Sequence, residues 1–142
     1  MQKFNEMLAV VIADLEKRWQ NALEKEIFTI TPFADGLIVS FAGGRKQQIF
    51  VKRTDGSYIL TSNVLHRARV EELGHWEVLL ALWMRNHTSN LVGFRLDKSG
   101  KAIGYVEHKA ESLDPHDLAY TIEVLARECD RLEFVLSGVD VH

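Results

Sequence analysis

The chain has little of what secreted, membrane-spanning or metal-binding proteins depend on. Cys129 is its only cysteine, so no disulfide can form within the chain and no zinc site can be built from several thiolates. No run approaches the roughly 18 apolar residues that span a bilayer. The opening MQKFNEMLAVVIADLEKRW is broken by charges and lacks the pattern of a secretory signal. We therefore expect a cytoplasmic protein with no membrane contact and no metal or other cofactor.

Proline and net charge are also scarce. Two prolines and the absence of any low-complexity tract leave no linker that would divide the chain, and its 142 residues fit one domain over residues 1–142. The net charge of −3 gives no overall attraction to nucleic acid.

Both ends of the chain show helical spacing. The first segment carries one apolar stripe and should end near Glu26. In the last segment Asp114 is placed to cap a helix, Pro115 suits its first position and Gly138 is placed to terminate it. The first stripe consists of Phe4, Leu8, Val11, Ile12, Leu15, Trp19 and Leu23, and the last of Leu118, Ile122, Leu125, Cys129, Leu132 and Leu136.

The middle of the chain alternates between strand and helix patterns. IFTITPF, GLIVSFA, QQIFVKR and SYILTSN are rich in β-branched and aromatic residues and are separated by glycine-containing turns, which predicts an antiparallel meander of three or four strands. A helix follows from about Val70 to Asn86, then a hairpin formed by LVGFRL and KAIGYVEH. The fold class is therefore α+β: helix, three-to-four-strand antiparallel meander, helix, two-strand hairpin and helix, with the helices packed on one face of the sheet.

The stretch GHWEVLLALWMRNHT, residues 74–88, is apolar nearly all round. A helix of this kind must be buried on more than one side, either by other helices of the same chain or by a second copy across a two-fold axis. We favour a homodimer, because a chain this small has only two other helices to cover the second face. In this interpretation Val78 and Leu82 pack on the chain's own sheet, although the two faces could be exchanged. The predicted dimer interface consists of Trp76, Leu79, Leu80 and Trp83.

The C-terminal half carries a family resemblance. LVGFRLDKSGKAIGYVEH followed by SLDPHDLAYTIEVLARECDRLEFVL resembles the hairpin and closing helix of the type III secretion chaperone-like group, which includes the Tir-chaperone type and the YbjN-type proteins. The order of elements is similar over nearly the whole chain. The resemblance implies a small, usually dimeric protein without enzymatic activity. It also implies binding of an extended partner segment through apolar grooves and sheet edges, with the middle helix at the dimer interface.

Catalytic motifs are missing from the sequence. There is no nucleophile elbow, P-loop or dinucleotide-binding fingerprint. Glu72-x-x-His75 has the spacing of carboxylate-bridged di-iron sites, but those need two such motifs and further glutamates. Cys129 lies on an apolar helical stripe and is expected to be a small buried hydrophobe. We predict no enzyme and no catalytic, cofactor-binding or metal residues.

The segment 45–69 concentrates positive charge. It holds six basic residues and one acidic residue, a net charge of +5, so the rest of the chain carries −8. The leading interpretation is that an extended segment of a partner protein lies on the exposed sheet surface near Phe50, Lys52 and Tyr58, or adds to a free sheet edge. The alternative is single-stranded nucleic acid, bound by stacking and phosphate contacts in this basic, aromatic region. The cations of that alternative are Arg45, Lys46, Lys52 and Arg53.

Overall fold

A computed structural model describes the backbone of residues 2–21, 27–41 and 43–137, and the side chains of these residues except 15–21, 27 and 28. The predicted α+β order is confirmed, with four strands in the meander. The predicted end of the first helix near Glu26, the terminator Gly138 and the stripe side chains Leu15, Trp19 and Leu23 lie outside what is described. The elements are α1 (Gln2–Asn21), β1 (Ile27–Phe33), β2 (Gly36–Phe41), β3 (Lys46–Thr54), β4 (Ser57–Leu65), α2 (Arg67–Leu73), α3 (His75–Thr88), β5 (Gly93–Leu96), β6 (Ala102–Lys109) and α4 (Pro115–Ser137).

The described strands form one antiparallel sheet in the order β1-β2-β3-β4-β6-β5. The hairpin β5–β6 joins the meander through β6, which pairs with β4, so β1 and β5 are the edge strands. Pro32 lies in β1; proline has no N–H to give to a neighbouring strand, and an edge is where a sheet tolerates it.

Alternation along the strands separates two faces of the sheet. In β2 the side chains of Leu37, Val39 and Phe41 are buried, while Ile38 and Ser40 on the opposite face are partly exposed. Helix α4 contacts β3, β4 and β6 on the buried side, α1 packs against α4 and β1, and α3 runs beside β5. We call the opposite side, which carries Ile38 and its neighbours across the strands, the open face.

Helix α4 supplies the centre of the core. Leu118, Ile122 and Leu125 are almost completely inaccessible to solvent, as the helical stripe predicts. The Oδ1 atom of Asp114 accepts a hydrogen bond from the backbone N–H of Asp117 at 2.8 Å, so Asp114 caps the first turn of α4.

The single helix predicted from Val70 to Asn86 is wrong in one respect. Two helices, α2 and α3, occupy the region and meet at Gly74, whose φ of 101° lies outside the helical range. The chain therefore changes direction at Gly74, and α3 runs beside the edge of the sheet.

Candidate protein-binding surfaces

Helix α3 presents an uncovered apolar surface to solvent. Val78 and Leu82 are buried against the sheet, whereas the side chains on the outward side remain accessible. Large apolar side chains are seldom left this exposed together on a stable monomer. The outward set consists of Trp76 at 72% exposure, Leu79 at 44%, Leu80 at 45%, Trp83 at 59% and Met84 at 58%. We call these five residues the α3 patch.

A groove of about 670 Å³ lies between α3 and the edge strand β5. Its walls are apolar apart from an amide and a guanidinium group, so it suits apolar side chains from another molecule. The groove is continuous with the α3 patch because the two share four residues. It is lined by Trp76, Leu79, Leu80, Leu82, Trp83, Asn86, Phe94, Arg95 and Leu96.

The outer edge of β5 is closed by a side chain. The amide group of Asn86 donates to the carbonyl oxygen of Phe94 at 2.9 Å and accepts from its backbone N–H at 2.7 Å. Asn86 thereby takes the two hydrogen bonds that an added strand would make at Phe94. A partner at this edge has to pack through side chains in the groove, because the ladder positions at Phe94 are occupied.

We expect the Asn86→Ala variant to lose about 1–3 kcal/mol of stability, because the N–H and C=O groups of Phe94 lose their partner in a partly buried place. Urea unfolding at a fixed protein concentration measures the loss. Asn86→Asp is the matched control. Its carboxylate still accepts from the Phe94 N–H but cannot donate to the carbonyl oxygen, so the stability of this variant should fall between that of the wild type and that of Asn86→Ala. Equal stability of all three proteins would contradict the edge-closing role.

The predicted partner-binding residues do not lie on one surface. Phe50 and Lys52 are on the open face of β3, where Phe50 is partly exposed and Lys52 exposed. Tyr58 pairs with Arg53 on the other face and is 3% exposed, with its ring 5.2 Å from that of Phe4. The placement of Tyr58 on the exposed sheet surface was therefore wrong, because odd and even positions of paired strands point to opposite sides.

The basic segment 45–69 is not one basic surface. Arg45 forms an ion pair with Asp130 of α4 at 3.1 Å, and the guanidinium of Arg53 lies 4.9 Å from the ring centre of Tyr58. Further along, Arg67 pairs with Glu71 and Arg69 with Glu72. Of the four cations of the nucleic-acid alternative, Lys46 and Lys52 share the open face.

The residues considered for catalysis or metal binding, Cys129 and the pair Glu72 and His75, occupy ordinary structural positions. Burial raises the pKa of the Cys129 thiol, despite hydrogen bonds that lower it, so the group stays protonated at neutral pH. Glu72 lies in the last turn of α2 and His75 is the first residue of α3, so the break at Gly74 falls between them. No cluster of three or more potential metal ligands occurs within residues 2–21, 27–41 and 43–137. No helix of the described part of the chain is long and apolar enough to cross a membrane.

Four residues that line the groove, Asn86, Phe94, Arg95 and Leu96, were not predicted from the sequence. Each belongs to an element whose own pattern was recognised, but no local signal says that the end of α3 lies against β5. The spacing of eight residues between Asn86 and Phe94 is compatible with many loop geometries, so only the folded chain reveals their contact.

Comparison with known proteins bears on the fold. No family model matches the sequence, and no curated protein is significantly similar to it. Solved structures do match. The HopA1–SchA chaperone–effector complex contains a chain 13% identical, with a TM-score of 0.53, over 94% of this chain and 98% of that one. The structure of the Yersinia pestis type III secretion chaperone SycH with a fragment of YscM2 matches at 13% identity, with a TM-score of 0.50 over 89% and 97%.

A third similar structure is of a protein that is not described as a secretion chaperone. YbjN of E. coli, described as a putative transcription regulator, is 12% identical, with a TM-score of 0.53 over 89% of this chain and 91% of that one. Identities this low bear on the architecture and not on the activity. The fold of this chain is that of the type III secretion chaperones and of YbjN.

Proposed function

We propose that the chain is a non-enzymatic, homodimeric protein-binding module, one domain over residues 1–142 that works in the cytoplasm and holds an extended segment of a partner protein. The observation that carries the proposal is the α3 patch, a set of five large apolar side chains that are between 44% and 72% exposed. Solved structures with the same fold contain chaperones in complex with effectors or with a protein fragment, which supports a protein as the partner.

A second copy of the chain is the occupant that fits the α3 patch. Trp76 and Trp83 would each bury about 150–250 Å², together roughly half of the about 800 Å² that each partner gives to a standard interface. A two-fold axis brings a surface against itself, so the tryptophans of one protomer can enter the α3–β5 groove of the other. Closure of the β5 edge by Asn86 favours this side-chain packing over strand addition.

The partner segment has a separate place in this proposal. Phe50 and Lys52 lie on the open face, away from the α3 patch. Binding there leaves the dimer interface intact, so one dimer can engage partner segments on two open faces. The outer edge of β1, which is an edge strand among the described strands, is a second position at which a segment could add.

Static light scattering over a concentration series tests the dimer. At about tens of micromolar chain the mass should be twice that of one chain and should fall on dilution as the equilibrium shifts. A wild-type protein that keeps the mass of one chain throughout this range would refute homodimerisation.

A further inference from the structure

The open face carries one straight row of side chains across the whole sheet. The pairing registers place one residue of each strand opposite the next, and every member of the row is partly exposed. Six strands at about 4.8 Å spacing give the row a length of about 24 Å, which about seven residues of extended chain would cover. From β1 to β5 the row reads Phe33, Gly36, Phe50, Thr61, Tyr105 and Gly93.

Two glycines in the row leave space for the neighbouring aromatic rings. Phe33 and Phe50 meet edge to face across Gly36, with ring centres 6.1 Å apart. At the other end the ring of Tyr105 covers Gly93, where a β-carbon would lie 2.6 Å from the ring. The aromatic rings are thus held on either side of Thr61, and both ends of the row present an apolar surface.

The charges around this row are mostly positive. The strand side chains of the open face include four exposed cations and one exposed carboxylate, Glu107, a net charge of +3 on a chain whose total is −3. Lys52 follows Phe50 on the same side of β3, and the guanidinium of Arg95 lies 5.1 Å from the ring centre of Tyr105. The four cations are Lys46, Lys52, Arg95 and Lys109.

We propose that the open face selects an acidic partner segment, one in which aromatic or aliphatic residues are interspersed with carboxylates, and that this segment crosses the strands along the row. The inference rests on the proposed function and names the chemistry of its partner. The apolar residues pack on Phe33, Phe50 and Tyr105, while the carboxylates meet the cations beside the row. Complementary charges of this kind contribute more to specificity and to the rate of association than to affinity.

The ring geometry favours a peptide over single-stranded nucleic acid. Base stacking needs accessible ring faces, but Arg95 occupies one face of Tyr105 and Phe33 stands edge to face with Phe50. Aliphatic side chains lie between the charged groups of the open face, as Ile59 does between Lys52 and Glu107. Such surfaces suit apolar side chains better than phosphates.

Two fluorescein-labelled peptides of about twelve residues test the inference on the full-length protein. Both contain the same leucines and phenylalanines, interspersed with glutamates in one and with lysines in the other. Fluorescence anisotropy should show binding of the glutamate peptide, weakened at least about fivefold between about 50 and about 300 mM salt. The lysine peptide should bind at least about tenfold more weakly.

Charge reversal on β3 locates the binding. The double variant Lys46→Glu/Lys52→Glu should weaken binding of the glutamate peptide about tenfold or more. Lys3→Glu, an exposed cation of α1, is the control and should leave it nearly unchanged. Arg95 is kept, because it also lines the α3–β5 groove. Light scattering of each variant reports separately on the dimer.

The outcomes separate the two proposals. Equal binding of both peptides would overturn the acidic preference, and equal weakening by the Lys3→Glu control would overturn the open face as the place of binding. Both outcomes would leave protein binding standing. Binding of an oligothymidylate in preference to the glutamate peptide would replace the peptide with nucleic acid. Failure of both peptides to bind would refute the open face as a peptide site, whereas loss of the dimer would appear only as a change in mass.

Discussion

Trp83→Glu is expected to convert the proposed homodimer into a monomer, with the dissociation constant raised at least about 100-fold. Trp83 is 59% exposed and lines the α3–β5 groove together with Leu80. In the proposed interface the substitution removes one of the two large aromatic anchors and buries a carboxylate that has no partner. Light scattering measures the result as a fall to the mass of one chain at concentrations where the wild type is dimeric.

Phe134→Glu is the matched control for this variant. Phe134 is an aromatic side chain of α4 with 52% exposure, close to that of Trp83, but it lies outside the α3 patch. It should keep the mass of the wild type. Since both side chains are largely exposed in the protomer, neither variant should greatly alter the monomer's own fold, and circular dichroism checks this. A dimer that survives Trp83→Glu, or a dimer lost in both variants, would remove α3 from the interface.

Gly104→Ala is expected to lower the free energy of unfolding by about 3 kcal/mol. A β-carbon at Gly104 would lie 2.4 Å from the sulfur of Cys129 and 3.2 Å from side-chain atoms of Phe94 and Val92. Gly104 is on β6, and Cys129 comes from the buried side of α4. Close-packed interiors relieve such overlap only by shifting elements, so α4 must move away from the sheet. Urea unfolding with an unchanged m-value measures the loss.

Removing the facing sulfur provides the decisive comparison. Cys129→Ala alone should cost on the order of 1 kcal/mol, because it leaves a small cavity. In the double variant Gly104→Ala/Cys129→Ala the new methyl group takes the space of the sulfur, so the two losses should not add and the coupling should exceed about 1 kcal/mol. Strictly additive losses would show that the cost at Gly104 comes from somewhere other than this contact.

The two surfaces differ in how far the sequence predicted them. A period of 3.6 residues, which is a local property, places Val78 and Leu82 on one side of α3 and Trp76 and Trp83 on the other, but only the structure shows that the side with Val78 and Leu82 is buried. The open face was predicted less well. Phe50 and Lys52 were placed correctly on an exposed sheet surface, but Tyr58 was not, because the register between β3 and β4 decides which side chains share a face.

The basic segment shows the same limit. Its net charge of +5 is a fact of the sequence, but the partners that divide it come from far along the chain. Arg45 meets Asp130, 85 residues away. Arg53 is held over Tyr58 by the pairing of two strands. The local sequence shows that cations are near one another in the chain, but it does not show which of them face solvent in the folded protein.

The order and kind of most elements could be predicted from the sequence, since hydrophobic periodicity, turn glycines and the cap at Asp114 are encoded within a few residues of where they act. The break of the middle helix at Gly74, the closure of the edge at Phe94 by Asn86 and the row of side chains across the open face appear only in the folded chain. These features depend on register and on contacts between distant segments, and such contacts carry no local signature because the chain closes many different loops at similar cost.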